Sequence, residues 1–167
     1  MLIRAEKGID REAVRAVNIS AFNSPAEANL VNLLRQQAHP NISLVAEECG
    51  QVVGHIVFSP VSLSNHPDVK MMGLGPMAVV PTHQRKGIGS ALVRAGLDRC
   101  RSLGFQAVVV LGHSEYYPRF GFSPAANFGI CSEYDVPEDV FMVLELVPEA
   151  LRNVSGKAIY QPAFGDV

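Results

Sequence analysis

Residues 2–7 alternate apolar and polar side chains as a half-buried strand does, and beyond Asp10, which occupies a cap position, Ala13, Val14, Val17 and Ala21 recur at helical spacing. Ser24-Pro25-Ala26-Glu27 then combines an N-cap serine, a proline at the first helical position and a capping-box glutamate, which predicts a second helix through Leu30, Val31, Leu34 and Ala38. Residues 42–47 and 52–61 are rich in β-branched and apolar side chains, and Cys49-Gly50-Gln51 between them predicts an antiparallel hairpin. His39-Pro40 and Ser64-Asn65-His66-Pro67-Asp68 punctuate its outer ends. A further strand over 71–80 is interrupted by Gly73, Gly75 and Pro76, where its ladder should break or bulge.

The pattern is clearest from Met77 onward. The apolar run Met77-Ala78-Val79-Val80 meets Pro81 and a polar, basic loop. A helix over 87–103 is then predicted by apolar Ile88, Ala91, Leu92, Ala95, Gly96, Cys100 and Leu103, with Arg94, Asp98 and Arg101 on the other face. Gly104 stands where a left-handed cap ends such a helix. Residues 106–111 read as a buried strand, and the strand-helix-strand order makes it parallel to 77–80. Ser114 opens a short helix carrying Tyr116 and Tyr117, residues 125–137 are turn-like, 140–147 form another strand, and 156–164 read as an exposed tail. Residues 1–167 are expected to form a single α/β domain with a mixed sheet.

Composition narrows the function classes. A chain of 167 residues with 48% hydrophobic and 18% charged residues has enough apolar surface for one sizeable core. Its formal net charge of -2 gives no general attraction to nucleic acid or anionic lipid, so the basic pair Arg85-Lys86 is assigned to one bound ligand. Cys49, Cys100 and Cys131 are odd in number and lack C-x-x-C spacing, which argues against a disulfide framework and fits a reducing compartment. The five histidines show no H-E-x-x-H or i, i+4 pair, so no metal site is expected. The first residues lack the apolar core of a signal peptide, and no apolar run approaches the roughly 20 residues that span a bilayer. A cytoplasmic protein is expected, with no membrane or nucleic-acid partner; a homodimer is compatible with the sequence.

The start of the long helix points to chemistry. First-turn N–H groups lack intrahelical acceptors and sit at the positive end of the macrodipole, so residues 87–90 suit an anion. Gly87 and Gly89 place no side chain in its way, and Arg85 and Lys86 add charge just ahead. Plain helix capping by the two glycines would account for the letters as well. Gln84-x-x-Gly87-x-Gly89, after a strand ending Ala78-Val79-Val80-Pro81, resembles the acetyl-coenzyme A motif of the GNAT N-acetyltransferases. Tyr116-Tyr117-Pro118-Arg119-Phe120-Gly121-Phe122 is similar to the Y-x-x-x-G-F segment holding that family's general-acid tyrosine.

The resemblance covers most of residues 2–146 and is strongest over 74–122. It implies the GNAT fold: a mixed, mostly antiparallel sheet whose central parallel strands splay, flanked by helices. It further implies that Gln84, Arg85, Lys86, Gly87, Ile88, Gly89 and Ser90 wrap the cofactor pyrophosphate. Backbone groups of Met77, Ala78 and Val79 would align the pantetheine arm, and Tyr117 would protonate the departing thiolate. The expected reaction is direct acetyl transfer from acetyl-CoA to a primary amine, on a small molecule or a protein. Family members often carry a glutamate base on the cofactor strand, and residues 71–80 contain none. His113 and Glu115 are near the site, but no base is assigned.

Competing readings remain at this level. A non-catalytic acyl-CoA sensor would keep the cradle without turnover, and core packing would also explain adjacent tyrosines. Arg119 could contact the cofactor or form a surface ion pair. Gly73-x-Gly75-x-x-Ala78 matches a dinucleotide fingerprint but precedes a strand rather than opening a helix. Gly112-His113-Ser114-Glu115-Tyr116 half-resembles a nucleophile elbow but lacks its second glycine.

Overall fold

A computed structural model describes residues 1–166, which build a nine-stranded sheet flanked by three α-helices. The strands are β1 (Leu2–Ala5), β2 (Ile42–Glu48), β3 (Gln51–Leu63), β4 (His66–Val79), β5 (Ala107–Leu111), β6 (Ser123–Pro124), β7 (Ile130–Ser132), β8 (Phe141–Glu145) and β9 (Gly156–Ile159). The helices are α1 (Arg11–Phe22), α2 (Ala26–Gln37) and α3 (Ile88–Ser102). The main strand order is β1-β2-β3-β4-β5-β8-β6, antiparallel except at β4–β5, while β9 pairs with both β3 and β7. The parallel β4–β5 pair sits where strand-helix-strand order places it, because the α3 crossover returns the chain in the same direction.

The β2–β3 hairpin turns through Cys49 and Gly50, both at positive φ, and β3 turns into β4 in two residues, with Leu63 opposite His66. The strand expected from residue 71 therefore begins at His66, and His66-Pro67-Asp68 belong to it. The expected irregularity is present: two steps along β3, Ile56 to Phe58, face three steps along β4, Met77 back to Leu74. That bulge falls at Gly75-Pro76.

One apolar layer packs α3 on the sheet through Ile88, Leu92, Val93, Leu97 and Cys100, against Phe58, Val108 and Val110. Gly96 allows this approach, since a Cβ there would lie 2.1 Å from Phe58 Cε1. Leu103, expected on the same apolar face, is 52% exposed because the helix has ended and the chain turns at Gly104, φ 84°.

Two local expectations give way to tertiary contacts. Asp10 caps nothing in α1; its carboxylate accepts from Lys7 N–H at 2.7 Å and from Arg4, which holds its pKa down at about 2. The tail over 156–164 is not exposed: β9 pairs with β3, and Tyr160 and Ala163 are buried. Within the turn-like stretch 125–137, β7 forms because β9 lies beside it.

Candidate active site

β4 and β5 part company after Leu74. Their parallel pairing runs from Met71–Ala107 to Leu74–Val110, while β4 continues along β3 to Val79. Beyond the bulge, one edge of β4 is open. Val80 N–H bonds Val53 C=O, so the alternation of an antiparallel ladder places Ala78 in a hydrogen-bonded pair with His55. Met77 and Val79 therefore turn their N–H and C=O groups away from β3, toward the gap. The Gln84 side-chain amide donates to Val79 C=O at 2.9 Å, tying the following loop to the strand end.

That loop leads into α3. Its first intrahelical bond is Ala91 N–H to Gly87 C=O, and no side chain caps the helix. The N–H groups of Ile88, Gly89 and Ser90 precede that bond and have no helical acceptor. Gly87 has φ 85° and Arg85 φ 63°, so the chain curls with its N–H groups inward. Val79, His83, Gln84, Arg85, Gly87, Ile88, Gly89, Ser90, Tyr116 and Arg119 line a concavity of about 470 Å³. Lys86 is exposed outside that lining, and the Ile88 side chain is in the core, so only its backbone faces the loop. A Cβ at Gly87 would meet nothing within 4 Å; one at Gly89 would stand 3.4 Å from the Tyr116 hydroxyl and 3.6 Å from Met77 Cε. The residues fit an extended, phosphate-bearing ligand: free donors at the helix start, unfilled space over Gly87, and an open strand edge leading away.

On the other side of Met77 lies a second cavity of about 380 Å³, between the splayed strands. Its floor is Leu74, Gly75, Pro76 and Met77 of β4 with Leu111, Gly112 and His113 after β5. The adjacent tyrosines divide between the two spaces. Tyr116 takes the cradle side, its hydroxyl 3.0 Å from Ser90 Oγ. Tyr117 lies in the second cavity at the start of a 3₁₀ turn (Tyr117–Phe120), shorter than the helix expected from Ser114. Its ring rests on bare Gly112, edge-on to Tyr116 at 5.1 Å and Phe122 at 5.7 Å. Burial, helped by Tyr116, pushes the Tyr117 hydroxyl up to about 12, so it keeps its proton through the physiological range.

Other expected site residues separate. His113 is at the mouth of the second cavity, whereas Glu115 is exposed and lines neither space. Arg119 makes no surface ion pair among the described residues. It stacks 4.4 Å over the Tyr116 ring, donates from Nε to Tyr116 C=O and faces the cradle. Among the described residues no group of three or more His, Cys, Asp or Glu is placed to hold a metal, and no helix is long and apolar enough to cross a membrane.

The cavity also contains residues with no sequence signal for function. Glu27, whose spacing announces a capping box, does not cap. Ser24 Oγ accepts from Ala26 N–H at 3.2 Å, but Glu27 Oε1 is buried with no partner and the residue lines the cavity. Tyr134, Tyr160 and Phe164 reach the same wall from β7's loop and the C-terminal segment. Only the pairing of β9, remote in sequence, puts them there.

Known proteins bear on this geometry. A family model described as "Acetyltransferase (GNAT) family" matches residues 11–122. The uncharacterized N-acetyltransferase YhbS of Escherichia coli K12 is 38% identical over 165 residues, 98% of each chain. The crystal structure of YhbS from Escherichia coli in complex with CoA superposes with a TM-score of 0.92 at 36% identity, covering 98% of this chain and 91% of that one. A GNAT family acetyltransferase from Brucella melitensis in complex with acetyl-CoA gives a TM-score of 0.80 at 35% identity, covering 98% and 97%. With the splayed parallel strands and the open helix start already in place, these matches settle the family: the chain belongs to the GNAT acetyltransferases.

Proposed function

We propose that this acetyl-CoA-dependent N-acetyltransferase binds its cofactor along the open edge of β4 and passes the acetyl group directly to a primary amine held between β4 and β5. The observation that carries the reading is that one strand edge connects the two spaces, with Tyr117 across the gap. N–H groups of Gly87, Ile88, Gly89 and Ser90, with Arg85 and Lys86 beside them, take the pyrophosphate. Gln84 fixes the loop to the strand through Val79 C=O, and Met77 N–H and C=O with Val79 N–H are offered to the pantetheine arm. Ala78 acts differently, holding β4 against β3 through its pairing with His55. Bound acetyl-CoA supplies the acetyl group as a thioester and leaves as the thiol. The neutral amine nitrogen, having lost any ammonium proton to solvent, bonds the acetyl carbon as the C–S bond breaks and releases a further proton to solvent, while Tyr117, protonated and within the apolar cavity, gives the proton that the sulfur requires.

Direct attack is supported by the cysteines. Cys100 is fully buried in the α3 layer with its thiol pushed up to about 12 by desolvation, and Cys49 and Cys131 line neither space. Cys49 and Cys131 are exposed and unpaired, which suits a reducing cytoplasm. Thiol release with acetyl-CoA and a panel of amines tests the reading. Tyr117→Phe should lower kcat by about 10²- to 10⁴-fold with cofactor affinity nearly intact, and Tyr116→Phe should cost less. Tight cofactor binding without turnover on any amine would replace the enzyme reading with the sensor.

A further inference from the structure

The second cavity contains a carboxylate that acetyl transfer by Tyr117 leaves without a role. Other carboxylates drawn into the protein have partners. Asp10 takes Arg4 and Lys7 N–H, Glu6 takes Arg35 and Ser43, Glu133 takes Tyr160 N–H, and Glu145 takes Leu151 N–H. Glu27 has neither a hydrogen bond nor an ion pair among the described residues, and its Oε1 is out of contact with solvent. A buried acceptor left empty costs stability, and a native chain that keeps one calls for an explanation. The capping box would have been the bland one, and the geometry rules it out.

What surrounds Glu27 narrows the partner. Tyr160 stands at the centre of an aromatic wall, with ring centroids 5.9 Å from Tyr134 and 5.1 Å from Phe164, and Phe22 and Leu30 complete that side. The Tyr160 hydroxyl is itself buried without a partner, on a residue only 6% exposed. No lysine or arginine lines the cavity. Among the described residues the space therefore presents one anionic side chain, Glu27, aromatic faces that favour cations, and the polar groups of His113, Tyr117, Tyr134 and Tyr160. Its volume of about 380 Å³ is at the small end of the range for ligand pockets.

Resting on the acetyltransferase reading, we infer that the acceptor is a small amine that enters as its ammonium, with Glu27 as counter-ion and an apolar or aromatic body against Tyr134, Tyr160 and Phe164. The same wall selects against other amines. An α-amino acid would bring a second carboxylate toward Glu27 with no cation to meet it. A polyhydroxylated amino sugar would lay hydroxyls against the rings of Tyr134, Tyr160 and Phe164 and lose their water there. Amines without an acid group are the class the cavity fits.

Calorimetric titration of the full chain, saturated with coenzyme A, tests this with 2-phenylethylamine, phenylalanine, glucosamine and 2-phenylethanol. The amine should bind best. Glu27→Gln should weaken it by about tenfold or more, the worth of one charge-assisted contact, and leave the neutral alcohol's weak binding unchanged. Coenzyme A affinity should be the same in both proteins. The ligand-free Glu27→Gln protein should melt close to the temperature of the unmodified chain, because Glu27 has no protein partner to lose. Equal amine affinity in the two proteins, absence of amine binding, or preference for phenylalanine, glucosamine or a short peptide amide would each overturn the inference while leaving the cofactor reading intact. Failure to bind coenzyme A would instead overturn the reading on which it rests.

Discussion

Gly112→Ala tests the placement of Tyr117 without touching the tyrosine. An added Cβ would lie 2.4 Å from Tyr117 Cε2 and 3.1 Å from Cδ2. Carbon atoms settle at roughly 3.5–4.0 Å, so the ring must withdraw by about 1 Å. Tyr116 and Phe122 pack against its flanks, so the open direction is the cavity itself. Gly112 does not occupy the left-handed region, and alanine there brings no backbone strain. A displacement of that size in a reacting group costs up to about 10²-fold, so kcat should fall by about 10- to 100-fold. Steady-state thiol release gives kcat, and coenzyme A titration should show unchanged affinity because Gly112 is not in the cradle. The double variant Gly112→Ala/Tyr117→Phe should be no slower than Tyr117→Phe alone, since the ring's hydroxyl is what the methyl displaces. A folded Gly112→Ala protein retaining kcat within about twofold would refute the assignment, and so would a double variant far below Tyr117→Phe.

Gly89→Asp should weaken coenzyme A binding by more than about tenfold, because the carboxylate would stand among the free N–H groups and beside the Tyr116 hydroxyl; calorimetry reads the affinity, and a folded variant with unchanged affinity would displace the cradle. Gly96→Ala should destabilise the fold by up to about 2 kcal/mol in urea denaturation, since overpacking of about 1–3 kcal/mol against Phe58 at 2.1 Å outweighs the helix-propensity gain of about 1 kcal/mol. Burial lowers the His55 pKa to about 4, so the stability it contributes is complete above the unfolded value near 6.5 and is lost as pH falls toward 4. That amounts to about 2 kcal/mol between about pH 7.5 and pH 5, and a denaturation midpoint equal at both pH values would contradict it.

What was legible in the sequence was local. The helix start declares itself through Gly87 and Gly89 because the free N–H groups and the glycines that expose them are neighbours in the chain. The bulge of β4 follows from Gly75-Pro76, whereas Tyr117 was marked only by the resemblance of its segment to a family pattern. The failures share one cause. At Asp10 and Glu27 a capping pattern was satisfied on paper, while a more distant partner or an empty cavity took the carboxylate. The 156–164 segment looks exposed because its β-pairing partners, Ser62 and Leu63, are nearly a hundred residues away, and no periodicity reports that distance. Arg119 differs again: its partner is an aromatic face, which charge spacing cannot reveal.

Both spaces depend on β4 holding its line after β5 has left it, and the support comes from behind. β3 pairs with β4 to its end, and His55, opposite Ala78, is wholly buried there. Its Nε2 lies 2.8 Å from Ser43 Oγ, which donates to Glu6, and Asn18 donates toward its Nδ1. This order of donors requires a neutral imidazole with the proton on Nε2. Protonation would put a second donor against the Asn18 amide in a wholly buried site. The same acid range also holds the acceptor as its ammonium, which must lose a proton before it can attack, and slows transfer for a different reason. Coenzyme A binding separates the two, since amine protonation leaves the cradle and β4 edge untouched, whereas a charged His55 loosens the strand that presents Met77 and Val79. Cofactor affinity that holds while stability declines below pH 6.5 and falls only as the pH nears about 4, where folded His55 itself takes a proton, therefore belongs to the scaffold, and a rate that falls at constant cofactor affinity belongs to the amine.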